Sequence, residues 1–116
     1  MIFRDICRAK IHRLTVTDTR LDYEGSITID ESLLEASCIR EFEKVQVVNI
    51  NNGNRFDTYI IKGKKGSGVV CLNGAAARLA QKGDLVIVIA YALVDEGSLE
   101  SFKTNIIHVD EKNRQK

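Results

Sequence analysis

The chain has 116 residues, of which 44% are hydrophobic and 28% are charged, and its formal net charge at pH 7 is +1. This composition is typical of one globular domain and unlike that of disordered or membrane proteins. So small a net charge gives no long-range field that would attract nucleic acid or an anionic membrane, and neither is expected as a partner. The basic residues from Lys112 to Lys116 are interpreted as a solvated tail.

The chain shows no sign of a membrane span, a secretion signal or a cysteine framework. Its longest apolar run, Leu85 to Val94, is about half as long as a membrane-spanning helix and is predicted to be a core strand. Charges interrupt the N-terminal hydrophobic stretches, so we expect no secretory segment and a cytoplasmic protein. The cysteines, Cys7, Cys38 and Cys71, are odd in number and widely separated, which predicts small buried apolar residues and not disulfides or a metal site.

The N-terminal region alternates as a strand does. Between residues 10 and 17, His12, Leu14 and Val16 are predicted to share one face, and Lys10 shares the face of His12. A polar turn is predicted at residues 18 to 20.

Strand alternation is predicted to resume from Leu21 to Ile29, interrupted by Glu24-Gly25-Ser26, because a glycine in a strand pattern often marks a bulge or bend. Asp30 is predicted to cap a short helix that ends at Ser37. Residues 45 to 50 and 55 to 61 are β-rich and flank an Asn-Gly turn, which predicts a hairpin.

The second half predicts a basic loop at residues 62 to 68, a short strand at 69 to 72 and a helical turn at 73 to 80. A long strand from Leu85 and a last strand at 105 to 110 follow. Together these elements predict a mainly β fold, a small mixed-topology β-barrel with a few short helices.

General catalytic motifs are absent. The glycines at 63, 66 and 68 do not lie between a strand and a helix as those of nucleotide-binding loops do. A nucleophile pair made of a cysteine and His12 or His108 has no supporting motif.

A more specific pattern is a set of short motifs in a fixed order. They are Lys10-Ile11-His12-Arg13, Tyr23-Glu24-Gly25-Ser26, Asn52-Gly53 followed by Arg55-Phe56 and Thr58-Tyr59, and Asn73-Gly74-Ala75-Ala76-Ala77. The series resembles the pyruvoyl-dependent aspartate 1-decarboxylases. The resemblance extends to about Tyr91 and is weak from Leu93 onward.

The resemblance implies a double-psi β-barrel in a homotetramer with active sites between subunits. It implies conversion of L-aspartate to β-alanine and CO2 for pantothenate biosynthesis, with no metal and no pyridoxal phosphate. It also implies self-cleavage into residues 1 to 25 and 26 to 116: the Ser26 hydroxyl attacks the Gly25 carbonyl, and Ser26 becomes the pyruvoyl group that forms a Schiff base with the substrate. Glycine at position 25 would admit a strained backbone and leave the path of attack open.

Further roles follow from the resemblance. Arg55 holds a substrate carboxylate, which suits the guanidinium fork. Lys10 and His12 are expected on one strand face, from which both would reach one anionic ligand, and they are assigned to substrate binding. Thr58 assists cleavage at the Gly25 carbonyl, and Tyr59 donates a proton to the decarboxylated intermediate.

Asn73 and the backbone amides of Gly74, Ala75 and Ala76 are expected to form a donor nest for an oxyanion or carboxylate. Val48 stands where known members carry tryptophan, so the indole hydrogen bond is missing at that position.

Two alternatives stay open at this stage. One is a β-barrel binding or assembly module that never cleaves, because barrels host many unrelated functions. The other is a pyruvoyl decarboxylase acting on a different acidic amino acid. Whether maturation requires a helper protein is not encoded in any recognisable motif.

Overall fold

The computed structural model describes all 116 residues and is built mainly from β-strands. The eight strands are β1 (Phe3–Thr15), β2 (Asp18–Arg20), β3 (Ser26–Asp30), β4 (Lys44–Asn49), β5 (Arg55–Gly63), β6 (Val70–Asn73), β7 (Leu85–Asp95) and β8 (Asn105–His108). The helices are α1 (Glu31–Ser37) and two 3₁₀ helices, Gly74–Leu79 and Glu96–Ser98. None of them has the length and apolar character needed to cross a membrane.

The strands form one hydrogen-bonded array in the order β2-β6-β3-β5-β4-β7-β1-β8. Three pairings, β1 with β8, β2 with β6 and β3 with β5, are parallel, and the others are antiparallel. The array surrounds a single core of 21 buried residues. The prediction of a mainly β, mixed-topology fold with a few short helices is confirmed, and the arrangement fits a small barrel.

Strand β1 is longer than predicted and its faces change partway. Its pairing with β7 shifts register between Ile11 and Leu14, and Arg13 adopts a φ of 68°. This bulge turns both Ile11 and Leu14 into the core, where each is fully buried. The predicted shared face of His12 and Leu14 is therefore wrong. Lys10 and His12 do lie on one face, on either side of Ile11.

The predicted turn at residues 18 to 20 is instead strand β2, which pairs in parallel with β6. Hydrogen bonds from Thr17 N to Val70 O (2.8 Å) and from Val70 N to Thr17 Oγ1 (2.9 Å) lead the chain into this pairing. Tertiary pairing thus overrides a polar local sequence. The turn follows at residues 21 to 23, and the next strand begins only at Ser26.

The helix and hairpin predictions are confirmed. The Asp30 side chain accepts a hydrogen bond from Ser32 N (2.8 Å) at the start of α1. Strands β4 and β5 pair in an antiparallel ladder, and Gly53 in the connecting turn has a φ of 78°, which glycine adopts without strain.

The C-terminal tail is fastened to the barrel, contrary to the prediction of a solvated segment. Asn113 is only 2% exposed. Its Nδ2 donates to Thr15 O (2.8 Å) and Gly68 O (2.9 Å), and its Oδ1 accepts from Thr15 N (2.8 Å). One buried amide therefore joins the tail to two separate segments, while the charged residues around it stay exposed.

Two other burial predictions need correction. In the apolar run from Leu85, Tyr91 and Leu93 project outward, whereas Ala90 and Val94 are buried. Of the cysteines, only Cys71 is buried; Cys7 is half-buried and Cys38 is exposed at the left-handed end of α1.

Candidate active site

The peptide bond between Gly25 and Ser26 lies between two cavities. Ser26 lines the larger one, of about 440 Å³, together with Arg20, Thr28, Cys71 and Asn73. Gly25 lines the smaller one, of about 360 Å³. Tyr59 contributes to both cavities. The bond is therefore approachable from both sides.

Ser26 is held at the start of β3 by a defined set of hydrogen bonds. Its side chain is buried, its Oγ donates to Glu24 O (3.1 Å), and Asn73 Nδ2 donates to the same Oγ (2.9 Å). Ser26 and Asn73 are direct cross-strand partners in the β3–β6 ladder. The pairing register of two strands thus places an amide donor on the serine oxygen.

Gly25 does not have the strained backbone that the sequence argument expected. Its φ is not in the left-handed region, and an added Cβ would meet nothing within 4 Å. The glycine with a left-handed φ at this place is Gly74, at +65°, and it packs against the Gly25 backbone. The backbone conformation that favours glycine therefore occurs at position 74, in the segment that packs against Gly25, and not at position 25 itself.

Thr58, Ala75 and Ala76 line the smaller cavity beside Gly25 and Tyr59. The neighbouring residues Thr58 and Tyr59 therefore both reach this cavity, and Tyr59 alone extends to the serine side. The Tyr59 ring lies 6.5 Å from the ring of Phe42, centroid to centroid. Asn73 makes no side-chain cap on the 3₁₀ helix. Its amide faces the serine cavity, so within one chain it does not join the amides of residues 74 to 76 in one nest.

The three expected substrate-binding cations line neither cavity. Arg55 is exposed on β5, where its Nη1 donates to Gln46 Oε1 (3.2 Å) and its cross-strand partner is Val48. Lys10 and His12 lie on β1, and the ring centroid of His12 is 5.4 Å from that of His108. The structure thus brings the expected cleavage residues together around Ser26 and leaves the expected substrate-binding side chains away from it, on two different strands.

The family model described as aspartate decarboxylase matches residues 2–116. The chain belongs to the aspartate decarboxylase family. The match includes the segment from Leu93 onward, where the sequence resemblance was expected to be weak.

Its relatives include the aspartate 1-decarboxylases of Acetivibrio thermocellus and Pelotomaculum thermopropionicum, each 58% identical over 113 residues. The alignments cover 97% of this chain and 90% and 86% of the two relatives. The aspartate 1-decarboxylase of Bacillus cereus is also 58% identical, over 97% of this chain and 89% of that protein.

Sequence reasoning missed two polar neighbours of Ser26. Thr28 Oγ1 accepts from Asn73 Nδ2 (3.0 Å), and Cys71 Sγ donates to Asn73 Oδ1 (3.3 Å). Thr28 lies two residues after Ser26, and Cys71 two residues before Asn73, so each shares a strand face with a recognised site residue. That spacing was the available signal.

A further missed group lies at the rim of the larger cavity, where Arg20 stacks 5.2 Å from the centroid of Tyr23 and donates to its hydroxyl (3.0 Å). Hydrogen bonds to Tyr23 and Asp18 raise the pKa of Arg20.

The environment of His12 favours its neutral form. Burial lowers the pKa of His12, and the positive charges of Lys10, His108 and Arg13 lower it further. The structure contains no group of three or more histidine, cysteine, aspartate or glutamate side chains that could hold a metal ion.

Proposed function

We propose that this protein cleaves itself between Gly25 and Ser26 and then decarboxylates L-aspartate to β-alanine and CO2, supplying pantothenate biosynthesis. Family membership supports the reaction. The observation that carries the proposal is the setting of Ser26: a buried side chain that lines the larger cavity, with an amide donor 2.9 Å from its oxygen, next to a glycine that lines the smaller cavity.

Cleavage requires the serine oxygen to replace the backbone nitrogen on the preceding carbonyl. The Ser26 Oγ attacks the Gly25 carbonyl carbon, the bond from that carbon to the Ser26 nitrogen breaks, and the hydroxyl proton passes to the nitrogen. An ester now joins Gly25 to the serine side chain. Loss of the Ser26 Cα proton expels the Gly25 carboxylate and leaves dehydroalanine, which water converts to a pyruvoyl group and ammonia. Residues 1 to 25 and 26 to 116 become separate chains.

Side chains around the bond suit these steps. The Asn73 amide stabilises the Ser26 oxygen as it loses its proton, because an N–H donor favours developing negative charge. Thr58 lines the Gly25 cavity and would donate to the carbonyl oxygen from that side. Nucleophile and carbonyl activation would thus come from opposite cavities.

The Ser26 site fits a pyruvoyl group, because Ser26 is the residue from which that group would form and it lines a cavity that a substrate can enter. A pyruvoyl ketone supplies the electron sink that decarboxylation of an amino acid requires. Tyr59 reaches both cavities and carries a phenol hydroxyl, which can donate a proton. It is proposed as the donor that returns a proton to the decarboxylated carbon.

Substrate binding is proposed to use a second subunit. Arg55, Lys10 and His12 lie away from Ser26 within one chain, and a homotetramer with active sites between subunits would bring them to it. Arg55 would then hold one carboxylate of L-aspartate through its bidentate fork, with Lys10 and His12 adding donors.

Several large apolar side chains are exposed in the single chain, and an assembly of copies would cover some of them. The largest are Met1, Ile2, Phe3, Leu21, Tyr23, Phe42, Ile50, Tyr91, Leu93 and Ile106. A double-psi form of the barrel and a cytoplasmic location complete the proposal, following the family.

An intact-mass spectrum of the purified protein tests the proposal. Two species are expected: residues 1 to 25, and a fragment from position 26 with a pyruvoyl group in place of a free amine. Ser26→Ala has no nucleophile and should stay one inactive chain.

A single full-length mass after prolonged warm incubation, both alone and with a lysate that supplies maturation factors, would favour a non-cleaving barrel module. Activity on glutamate or cysteine sulfinate in preference to aspartate would correct the substrate.

A further inference from the structure

Four polar side chains lie together on one face of the β3–β6 ladder. Ser26 is opposite Asn73, and Thr28 is opposite Cys71, in an antiparallel register. All four line the larger cavity. Two of them, Thr28 and Cys71, have no part in the chemistry described above.

Their hydrogen bonds form a closed arrangement around the Asn73 amide. Cys71 Sγ donates to Asn73 Oδ1 (3.3 Å). Asn73 Nδ2 then uses its two hydrogens on Ser26 Oγ (2.9 Å) and Thr28 Oγ1 (3.0 Å). The amide therefore has a partner for its oxygen and for both of its hydrogens, which defines which end points to the serine.

The opposite orientation of the amide would be less favourable. Turning Asn73 by half a revolution would present its oxygen to Ser26 and Thr28 and its N–H groups to the Cys71 sulfur, which is a weak acceptor. Ser26 would then have to donate to the amide and give up its hydrogen bond to Glu24 O. Its oxygen would lose the donor that stabilises it during attack.

The thiol is in a state that can donate. Burial raises the pKa of Cys71, the charge of Asp18 raises it further, and Arg20 acts in the opposite direction. Cys71 therefore keeps its proton at neutral pH.

We propose that Cys71 and Thr28 are positioning residues for self-cleavage, which hold the Asn73 amide with its N–H groups toward the Ser26 oxygen. This inference rests on the proposed cleavage at Ser26. Neither residue touches the bond that breaks, and both act through Asn73. Without the thiol, the Asn73 oxygen is left in a buried site with no partner, and the amide is free to turn.

The test is a time course of conversion of freshly purified full-length precursor into its two fragments, measured by denaturing gel and intact mass. Cys71→Ala should slow cleavage by roughly threefold to thirtyfold, the effect of losing one buried hydrogen bond. Cys71→Ser keeps a donor at the same position and should restore the rate to within about threefold of the wild type. Cys38→Ala, at the exposed cysteine, is the matched control and should cleave normally.

Thr28→Val provides a second, nearly isosteric test should Cys71→Ala fold poorly, and it should also slow cleavage. Melting temperatures measured on the same samples separate this role from general destabilisation, because Cys71→Ser and Cys71→Ala should differ in rate more than in stability.

If the Cys71→Ala variant cleaves as fast as the wild type, the proposed role of Cys71 is overturned. Equal slowing by Cys71→Ser and Cys71→Ala would show that shape and not hydrogen-bond donation matters, and would also overturn it. Absence of cleavage in the wild type and in Cys38→Ala would instead refute the proposed function together with this inference.

Discussion

Gly74 packs directly against the backbone of Gly25, at the bond proposed to break. A Cβ added to Gly74 would lie 2.5 Å from Gly25 N and 2.7 Å from Gly25 Cα. It would also lie 2.6 Å from Tyr23 O. No side chain fits in this space, so the start of the 3₁₀ helix acts as a backbone support for the cleavage segment.

Gly74→Ala should therefore displace the Gly25–Ser26 peptide and slow cleavage by at least tenfold, because ester formation needs the serine oxygen close to the carbonyl carbon. Gly83→Ala is the matched control: Gly83 also has a positive φ, of +94°, but an added Cβ there meets nothing within 4 Å. It should lose about 1 kcal/mol of stability from backbone strain alone and cleave normally. Equal cleavage by both variants would show that contact with Gly25 is unimportant. Fragment mass against time is the measurement.

Arg55→Lys should separate substrate binding from maturation. Lysine keeps the charge but loses the fork, so kcat/KM for aspartate should fall by roughly tenfold to a thousandfold while cleavage proceeds normally. Arg40→Lys changes an exposed arginine beyond α1 and should leave both unaltered. Normal turnover by Arg55→Lys would place the carboxylate clamp elsewhere.

The elements that could be predicted from sequence carry local signals. Asp30 caps α1 through a hydrogen bond two residues away, and the Asn-Gly turn sets the β4–β5 hairpin within a few residues. The order of the short motifs was enough to identify the family. Each of these signals is read from neighbouring positions and needs no knowledge of distant pairing.

The features that were missed depend on distant partners. Strand β2 exists because of β6, some fifty residues later, and the bulge at Arg13 follows from the ladder with β7. The contact of Cys71 with Asn73 gains meaning only because Asn73 is opposite Ser26.

Asp30 should make the free energy of unfolding depend on pH in the acid range. It is 2% exposed and accepts hydrogen bonds from Ser32, Gly66 N and Gly68 N. Burial alone would raise its pKa, but the hydrogen bonds, that of Gly68 foremost, outweigh burial and lower the pKa below the ordinary 3.8. A lowered pKa stabilises the folded state above the unfolded-state value, and this contribution disappears as the pH falls through the folded-state value.

Asp30→Asn should accordingly lower the free energy of unfolding at pH 7, on the order of 2 kcal/mol, because the amide cannot accept all of these hydrogen bonds. Below pH 3.8 the difference between variant and wild type should shrink. Denaturant unfolding at a series of pH values measures it, and Asp22→Asn, on an exposed turn, serves as the control. A difference that is constant with pH would show that the carboxylate charge is not what stabilises the loop.

Tyr59→Phe should separate maturation from catalysis. A phenol hydroxyl can deliver its proton to a strongly basic carbon. Phenylalanine keeps the ring and its packing but has no proton to donate. The proposed cleavage uses the Ser26 hydroxyl and Thr58 at the Gly25 side instead, so both fragments should still form. Aspartate should still be captured on the larger fragment by borohydride, because capture precedes the proton transfer. The rate of β-alanine release should fall by roughly a hundredfold or more, which is the usual rate enhancement from a positioned general acid, and water should supply a residual rate.

The measurements are intact mass for cleavage, borohydride labelling for capture and product formation for turnover. Unaltered turnover in a fully cleaved variant would remove Tyr59 from the decarboxylation mechanism. An uncleaved variant would instead assign the Tyr59 hydroxyl to maturation, because Tyr59 lines the cavities on both sides of the bond.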